Sequence, residues 1–398
     1  MDLGFSAEDE AFRAEARAWL EANVPRPALQ SGDTREGFAR HLEWERALFE
    51  ARFAVVGWPK QYGGRELDLV KWLIFEEEYY RAGAPQRVTQ NGIFLLAPTI
   101  FEFGTAEQQE RILGPMARGE VTWCQGWSEP NAGSDLAAIA SRAVRDEQAG
   151  GWRLTGQKTW TTRGAFCDRM FGLFRTDPDA ERHRGMTYFL VPLDAEGVTV
   201  RGFGRLDGDE GFAEVFLDDV FVGDEDVLGG VNKGWEVAMA TTGSERGLTL
   251  RSPGRFLAAA SRLIDLYRSR LPGGDAGGRS DRSVHVRDAV ARIWIEAEAY
   301  RWHTYWTVAQ RVAGQAGGAE SSMVKLFWSE LDVRIHETAL ELLGVEAELT
   351  GDDFVGVAGA ETDWMKGYEF SLSGPIYAGT NEIQRNVVAE RVLGLPRK

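Results

Sequence analysis

"GGWRLTGQKTWTT", residues 150–162, is where the chain changes its period. The run is rich in threonine and tryptophan and opens on paired glycines, as a strand does after a turn. Four runs of the same kind follow: "RMFGLFRT" at 169–176, "GMTYFLVPL" at 185–193, "GVTVRGFGRL" at 197–206 and "FAEVFLDDVFV" at 212–222. Each is short, dense in β-branched and aromatic residues, and separated from the next by Gly and Asp turns. That spacing predicts a small antiparallel barrel or sandwich over about 120–225.

On either side the pattern is helical. Between 6 and about 118, Ala- and Glu-rich amphipathic stretches are broken by the Gly- and Pro-bearing loop "GWPKQYGG" at 57–64. Ser6 followed by Asp9 reads as an N-cap with its acidic partner, and Thr105 with Gln108 as a capping box. After "GGVNKGWEVAMA" the helical period returns and runs to the end. It is interrupted by "LPGGDAGGRSDRS" at 271–283, either a surface loop or a disordered connection. The order is α, then β, then α.

Bulk composition narrows the function. A chain of 398 residues with 43% hydrophobic and 27% charged residues can build two or three domains around sizeable cores. With 61 acids against 45 Lys and Arg, the net charge of −16 repels a phosphate backbone and argues against nucleic-acid binding. No stretch has the apolar length of a membrane span, and "MDLGFSAEDEAFR" is acidic where a signal peptide would be basic and apolar. A cytoplasmic location is the expectation. Two cysteines, Cys124 and Cys167, are too few for a disulfide framework and read as free thiols. Five scattered histidines give no metal motif, since "HETAL" at 336–340 lacks its second histidine. "GFGRLDG" at 202–208 has the wrong spacing for a dinucleotide fingerprint and no helix after it, so its glycines read as turns. "GSERG" at 243–247 has its serine in the second place, which is not a nucleophile elbow.

Three segments stand apart from generic core. "CQGWSEPNAGSDLA", 124–137, is a loop dense in Gly, Ser, Asn and Pro that offers backbone N–H groups and hydroxyls to a polar ligand. Taken alone it is also what a surface turn looks like. In "GQKTWTTRGAF", 156–166, Trp160 precedes two threonines, so a flat indole with nearby hydroxyls can flank a planar heterocycle; a tryptophan in a strand is equally a core residue. The third is "SGPIYAGTNEIQRNVV", 373–388.

Together and in this order they resemble the acyl-CoA dehydrogenase family. The first is similar to its "TEPxAGSD" loop, the second to its "KxWITNG" strand, the third to its "IYxGTxEIQ" ending, and the likeness covers essentially the whole chain. It implies an α+β fold with an N-terminal α-helical domain (1–119), a middle antiparallel β-barrel (120–228) and a C-terminal four-helix bundle (229–398). It implies FAD, and oxidation of an acyl-CoA thioester to its trans-2-enoyl form. That reaction needs a carboxylate to take a proton from Cα as hydride leaves Cβ for flavin N5, and donors to hold the thioester oxygen. Matched by position, Gln125 and Ser128 contact the flavin ring, and Ser134 touches both cofactor and the substrate's pantetheine arm. Trp160 lies beside the isoalloxazine, with Thr161 after it and Thr162 bonded to N5. Thr380, Asn381 and Glu382 run along the dinucleotide, and Ala378 and Gly379 are the substrate-side pair.

Many members carry their catalytic acid where this chain has Ala378. In the branch that includes the isovaleryl- and long-chain enzymes the acid sits on a C-terminal-domain helix just before an arginine. "VAMATTGSERGLTL", 237–250, puts Glu245 and Arg246 there, so the resemblance implies Glu245 as base, Arg246 beside the substrate, and the backbone N–H of Ala378 still donating to the thioester. Other positions depart from the pattern. The "RxxFG" arginine region reads "GGRSDRSVHVRDAV", leaving Arg282 or Arg287 as substitutes. "QxxGGxG" reads "ELLGVEA", 341–347, with Glu341 for the glutamine, and an acid beside a pyrophosphate is unfavourable. "TTRG" for "ITNG" brings Arg163 near the site, and Gly243 stands where an aspartate is common, which suits either CoA or a carrier-protein thioester. Such losses resemble bacterial enzymes, some acting on steroid side chains, that assemble as α2β2 heterotetramers; a homotetramer is the alternative. An electron-transfer flavoprotein is the implied acceptor. A flavin oxidase or monooxygenase on the same fold, and an FAD-poor partner subunit, are the competing functions.

Overall fold

A computed structural model describes residues 4–245, 252–270, 281–314, 318, 320–349 and 364–396, with the side chains of 244, 245, 281–283 and 320 excepted. In chain order the helices are α1 (Ala7–Asn23), α2 (Arg35–Glu50), α3 (Leu69–Arg81), α4 (Ala97–Phe103), α5 (Ala106–Ala117), α6 (Gly234–Glu245), α7 (Pro253–Ser269), α8 (Asp281–Val312), α9 (Glu320–Leu343), α10 (Trp364–Ser371) and α11 (Asn381–Val387). A π-helical turn, Asn91–Leu96, leads into α4. The strands are β1 (Trp123–Gly126), β2 (Arg142–Asp146), β3 (Gly151–Thr162), β4 (Arg169–Arg175), β5 (Met186–Pro192), β6 (Val198–Phe203), β7 (Phe212–Gly223) and β8 (Val227–Leu228). A helical N-terminal region, a β-sheet middle and a helical C-terminal region follow one another, an α+β architecture. No helix among the described residues is long and apolar enough to cross a membrane.

Both expected helix starts are present. Ser6 Oγ accepts from Asp9 N (3.1 Å) while the Asp9 carboxylate accepts from Ser6 N (3.1 Å), and Thr105 and Gln108 exchange the same pair of bonds. Gln108 does more than cap: its Nε2 donates to the carbonyls of Glu225 and Val227, tying α5 to the start of β8.

The chain divides into two compact units, each built from separate stretches: Met1–Ala28, Asp68–Ala84 and Arg251–Lys398 in one, Leu29–Leu67 and Pro85–Leu250 in the other. In the first, α7, α8 and α9 bury a core that includes Phe256, Leu263, Ile293, Tyr300, Trp328, Leu331 and Ile335. Helix α3 belongs to this unit and carries "EEE" at 76–78, which in sequence looks like a solvated face. All three glutamates are buried. Glu78 is paired with Arg17 and Arg81 and reached by Arg13; Glu77 is paired with Arg13 (3.0 Å) and Arg301 (2.5 Å). Two adjacent carboxylates thus join α1, α3 and α8. On the same helix a Cβ added at Gly254 of α7 would lie 2.8 Å from the carbonyl oxygen of Glu76, so α7 packs backbone to backbone there and accepts only glycine.

In the second unit the strand order is β6-β7-β3-β2-β4-β5-β8, with β1 added on β4. The five runs read from sequence are β3 to β7. The all-antiparallel expectation needs correction: β1 pairs with β4 in parallel, Gln125 opposite Phe171, and β2 touches β4 in parallel at Arg142–Arg175. The β2–β3 hairpin intervenes between β1 and β4, and that long crossover is what a parallel pairing requires. Strands β1, β2 and β8 were not among the runs read, because β1 and β8 are short and β2 ("RAVRD") is charged. The "GFGRLDG" glycines end β6 and turn the chain, Gly208 at φ +84°, into β7. Cys124 is buried, Cys167 half-buried, and both are free.

The Glu78 carboxyl sits in a balance of opposing effects. Burial alone would raise it, but hydrogen bonds and charge from Arg17, Arg81 and Arg13 hold it down, from 4.5 to about 2. Its folded value lies below its unfolded one, so its contribution is complete above about pH 4.5 and is lost as the pH falls towards about 2. Glu78→Gln should therefore cost roughly 2–3 kcal/mol at pH 7. In denaturant titrations at several pH values the gap between wild type and variant should close on acidification; a constant gap would contradict the pairing.

Candidate active site

The 124–137 loop is fastened to the sheet by one buried pair. Glu129, 8% exposed, accepts from Lys158 Nζ (2.7 Å) and from the backbone N–H groups of Ala140 (2.6 Å) and Ser141 (3.0 Å). Lys158, fully buried on β3, also donates to the Leu173 carbonyl (2.8 Å), with its ammonium 4.7 Å from the centre of the Phe174 ring. Burial would raise the Glu129 carboxyl, but Lys158 and the two N–H donors hold it below its usual value; burial in turn pulls the Lys158 ammonium down to about 8 despite Glu129. Glu129 and Ala132 exchange backbone hydrogen bonds, and the Ser128 carbonyl accepts from Thr159 N (2.9 Å), so the loop is closed on itself and stitched to β3. Gln125 and Ser128 are left half-buried and Ser134 exposed, next to Gly133, around which space is open.

The end of β3 presents the opposite of a core tryptophan. Trp160 is 60% exposed yet gripped edge-on by Phe203 (5.3 Å between centroids, 77° between planes) and Phe212 (5.6 Å, 88°). A singly exposed ring is ordinary on a protein surface; what distinguishes Trp160 is the edge-on support of two further rings. Thr161 beside it is fully buried, with no hydrogen-bond partner for its Oγ1, and Thr162 is half-buried. Arg163 departs from the sequence reading. Its guanidinium, 3% exposed, is paired with Asp33 (2.6 Å) inside the unit, so it brings no free charge to the face that Trp160 presents.

Helix α6 belongs to the same unit. Its hydroxyls face inward: Thr241 bonds to Thr99 (2.9 Å) on α4 and lies 3.4 Å from the Tyr188 hydroxyl, and Thr242 bonds back to the Ala238 carbonyl. The backbone of Glu245 closes this helix; its side chain, and the whole of Arg246, lie outside the described residues.

The third segment is in the other unit. Ala378 (φ +55°) and Gly379 (φ +79°) are consecutive left-handed residues, and the carbonyls of both accept from Gln384 Nε2 (2.9 and 3.3 Å). Thr380 caps α11 by accepting from Ile383 N. Asn381, 3% exposed, accepts from Lys325 Nζ (2.7 Å) and Ser329 Oγ (3.1 Å) of α9 and donates to Glu330 (3.3 Å), while Glu382 is exposed. Its amide is therefore committed to the helix beneath it. The acid that sequence comparison flagged, Glu341, lines a cavity of about 260 Å³ between α8 and α9 with His285, Asp288, Arg292, Arg334 and Glu337. Arg334 is already paired with Glu296 (2.6 Å). Of the two substitutes for the missing arginine, Arg287 pairs with Asp288, and the side chain of Arg282 lies outside the described residues.

Sequence reading missed Glu129, Lys158 and Asp33. The first two stand inside the quoted segments, but a charged residue in a polar loop or a strand carries no sign that it is buried. Asp33 lies about 130 residues from its partner Arg163, with no pattern linking them.

Comparison with known proteins places these features. Residues 6–120 match the acyl-CoA dehydrogenase N-terminal domain, 124–220 the middle domain and 232–393 the C-terminal domain. The chain is 38% identical over 406 residues to acyl-CoA dehydrogenase IpdE1 of Mycolicibacterium smegmatis, covering 98% of this chain and 99% of that one. Among solved structures it is similar to the Tcur3481-Tcur3483 steroid ACAD (TM-score 0.87, 26% identity, all of both chains). It is also similar to the ChsE4-ChsE5 complex from Mycobacterium tuberculosis (TM-score 0.82, 28%, all of both chains).

Breaking the loop's anchor by one partner strands a buried charge, at about 3–5 kcal/mol. Lys158→Met alone should therefore destabilise strongly, and Glu129→Gln/Lys158→Met less than the sum of the two single variants. Chemical denaturation of the four proteins of that cycle measures the coupling; simple additivity would remove the pair from this role.

Proposed function

The chain belongs to the acyl-CoA dehydrogenase family, FAD-dependent oxidoreductases acting on CH–CH bonds, and on that premise we propose that it oxidises a bulky acyl-CoA thioester at Cα–Cβ with Glu245 as the base. The residues present suit a flavin. A rigid, exposed indole stands beside a loop of half-buried and exposed donors, and the buried hydroxyl of Thr161 is without a protein partner. FAD, when bound, supplies the hydride acceptor. Trp160 would offer it a flat face, Gln125, Ser128 and Thr162 would contact its ring, and Ser134 would serve both cofactor and pantetheine. Thr380 and Glu382 would lie along the dinucleotide, with Asn381 fixing their backbone through Lys325 and Ser329.

The observation that carries the reading is the pairing of an inert residue with an acid. Ala378 holds a left-handed conformation with a side chain that can take no proton, while α6 ends on Glu245. The Glu245 carboxylate would remove the Cα proton, Arg246 would lie beside the substrate, and the Ala378 N–H would donate to the thioester oxygen as negative charge grows there, with Gly379 completing that wall. With an aliphatic group at 378, the base has to come from elsewhere in the chain. The steroid ACAD likeness at 26% identity, with the small residues "TTGS" before Glu245, supports a large polycyclic or branched acyl group. An electron-transfer flavoprotein is the proposed acceptor.

A second reading, a flavin divided between this chain and a related partner chain, is favoured by the α8–α9 cavity. Its lining carries four carboxylates, Asp288, Glu296, Glu337 and Glu341, against two guanidinium groups, Arg292 and Arg334, a poor setting for a pyrophosphate. Both solved relatives named above are two-protein complexes.

Glu245→Gln should keep the yellow flavin and bind acyl-CoA, but lose anaerobic flavin bleaching by about 10³-fold or more. Undiminished bleaching would remove Glu245 from the role. The flavin-to-chain ratio and solution mass of the protein purified alone separate the two assemblies: one FAD per chain in a tetramer speaks for the homo-oligomer, and a colourless smaller species for the divided site.

A further inference from the structure

We infer that Asp33 is a positioning residue for the Trp160 shelf, acting through Arg163; the inference rests on the flavin reading above. Two of the four residues 160–163, at and just past the end of β3, are non-glycine residues in the left-handed region, Trp160 at φ +57° and Arg163 at φ +55°. L-residues with side chains adopt that conformation only where their surroundings impose it. Strand β3 also slips register against β7 between Lys158 and Thr161, so the ladder alone does not impose it. The restraints come from the far side. Arg163 N donates to Gly211 O (2.9 Å), and its guanidinium is paired with Asp33 (2.6 Å). The other oxygen of Asp33 accepts from Arg205 Nη1 (2.6 Å), and Arg205 is clamped in turn by Asp207 through Nε (3.1 Å) and Nη2 (2.7 Å).

This arrangement is built rather than incidental. A Cβ at Gly211 would fall 2.1 Å from Arg205 Nη1, so the glycine makes room for the arginine. Ser31 donates to Asp33 neither charge nor slack: its Oγ accepts from Asp33 N (3.3 Å) and bonds to Asp209, fixing the loop that carries the aspartate. Arg163 and Asp33 are 3% and 5% exposed. Burial would push the Asp33 carboxyl up, but the guanidinium groups of Arg163 and Arg205 hold it below its usual value, so it stays charged. Removing that charge leaves Arg163 buried and unpaired, and the arginine must then leave the interior, moving the turn that sets Trp160 and Thr162. The Phe203 and Phe212 edges would remain but would no longer meet the ring at the same angle.

The test labels the full-length chain with 5-fluorotryptophan and follows Trp160, assigned by Trp160→Phe, by ¹⁹F NMR with and without added FAD. Asp33→Asn should shift or broaden the Trp160 resonance in the flavin-free chain. With FAD present it should lower the rate of flavin reduction by about 10–100-fold with little change in substrate KM. Asp33→Glu should recover part of both. Asp33→Asn/Arg163→Asn should restore the resonance, because asparagine tolerates the left-handed backbone and the buried Arg205 keeps Asp207 as its partner; that variant carries the test if Asp33→Asn fails to fold. An unmoved Trp160 resonance in folded Asp33→Asn, or a displaced one in the double variant, overturns the positioning role. A moved resonance with unchanged flavin binding and reduction overturns instead the reading of Trp160 as a flavin shelf.

Discussion

A buried lysine and a nearly buried glutamate hold the site-bearing part of the sheet together. Lys158 has no exposed surface, and its ammonium is tolerable there because Glu129, the Leu173 carbonyl and the Phe174 ring share its charge. Glu129 in turn has its remaining lone pairs met by two backbone N–H groups. Such a pair adds little net stability over an apolar pair of the same volume, but it cannot be half made. The consequence is specificity of position: the loop from Gln125 to Ser134 has one place where its glutamate is satisfied, and that place is on β3, two residues before Trp160.

The same rule governs the rest of the molecule. Two further sets of buried charges tie distant stretches of chain. Glu77 and Glu78 join α1, α3 and α8 through four arginines; Asp33 joins the 31–34 loop to the ends of β3 and β6 through two. Apolar cores fill the space within each unit, but hydrophobic attraction is non-directional, whereas an ion pair in a dry interior depends steeply on the separation of two particular groups. The orientation of Trp160 and the closure of the 124–137 loop are therefore decided by electrostatics inside a framework that burial assembles.

The helical segments, the five principal strands and both capping boxes were legible because each is written locally, in period or in a three-residue spacing. The three segments of the candidate site were legible as resemblances to family patterns. What escaped was long-range or context-dependent. Strand β1 is four residues inside a loop-like stretch, and its parallel pairing with β4 depends on the hairpin between them. The acids at 76–78 look solvated in sequence but are buried, Glu77 and Glu78 against arginines far along the chain, and Arg163 looks like a charge added to the site but is paired with Asp33.

By itself, then, the sequence determined the order of helix and strand, the family, and the chemical types available at each motif, including an alanine where many relatives carry an acid. Only the tertiary structure decided which charges are internal and paired, that Trp160 is an exposed shelf rather than a core residue, and that the carbonyls of Ala378 and Gly379 are both taken by Gln384. The reason is physical. Periodicity and capping are properties of neighbouring residues, whereas the state of a charge depends on the dielectric around it and on partners that the fold brings from elsewhere in the chain.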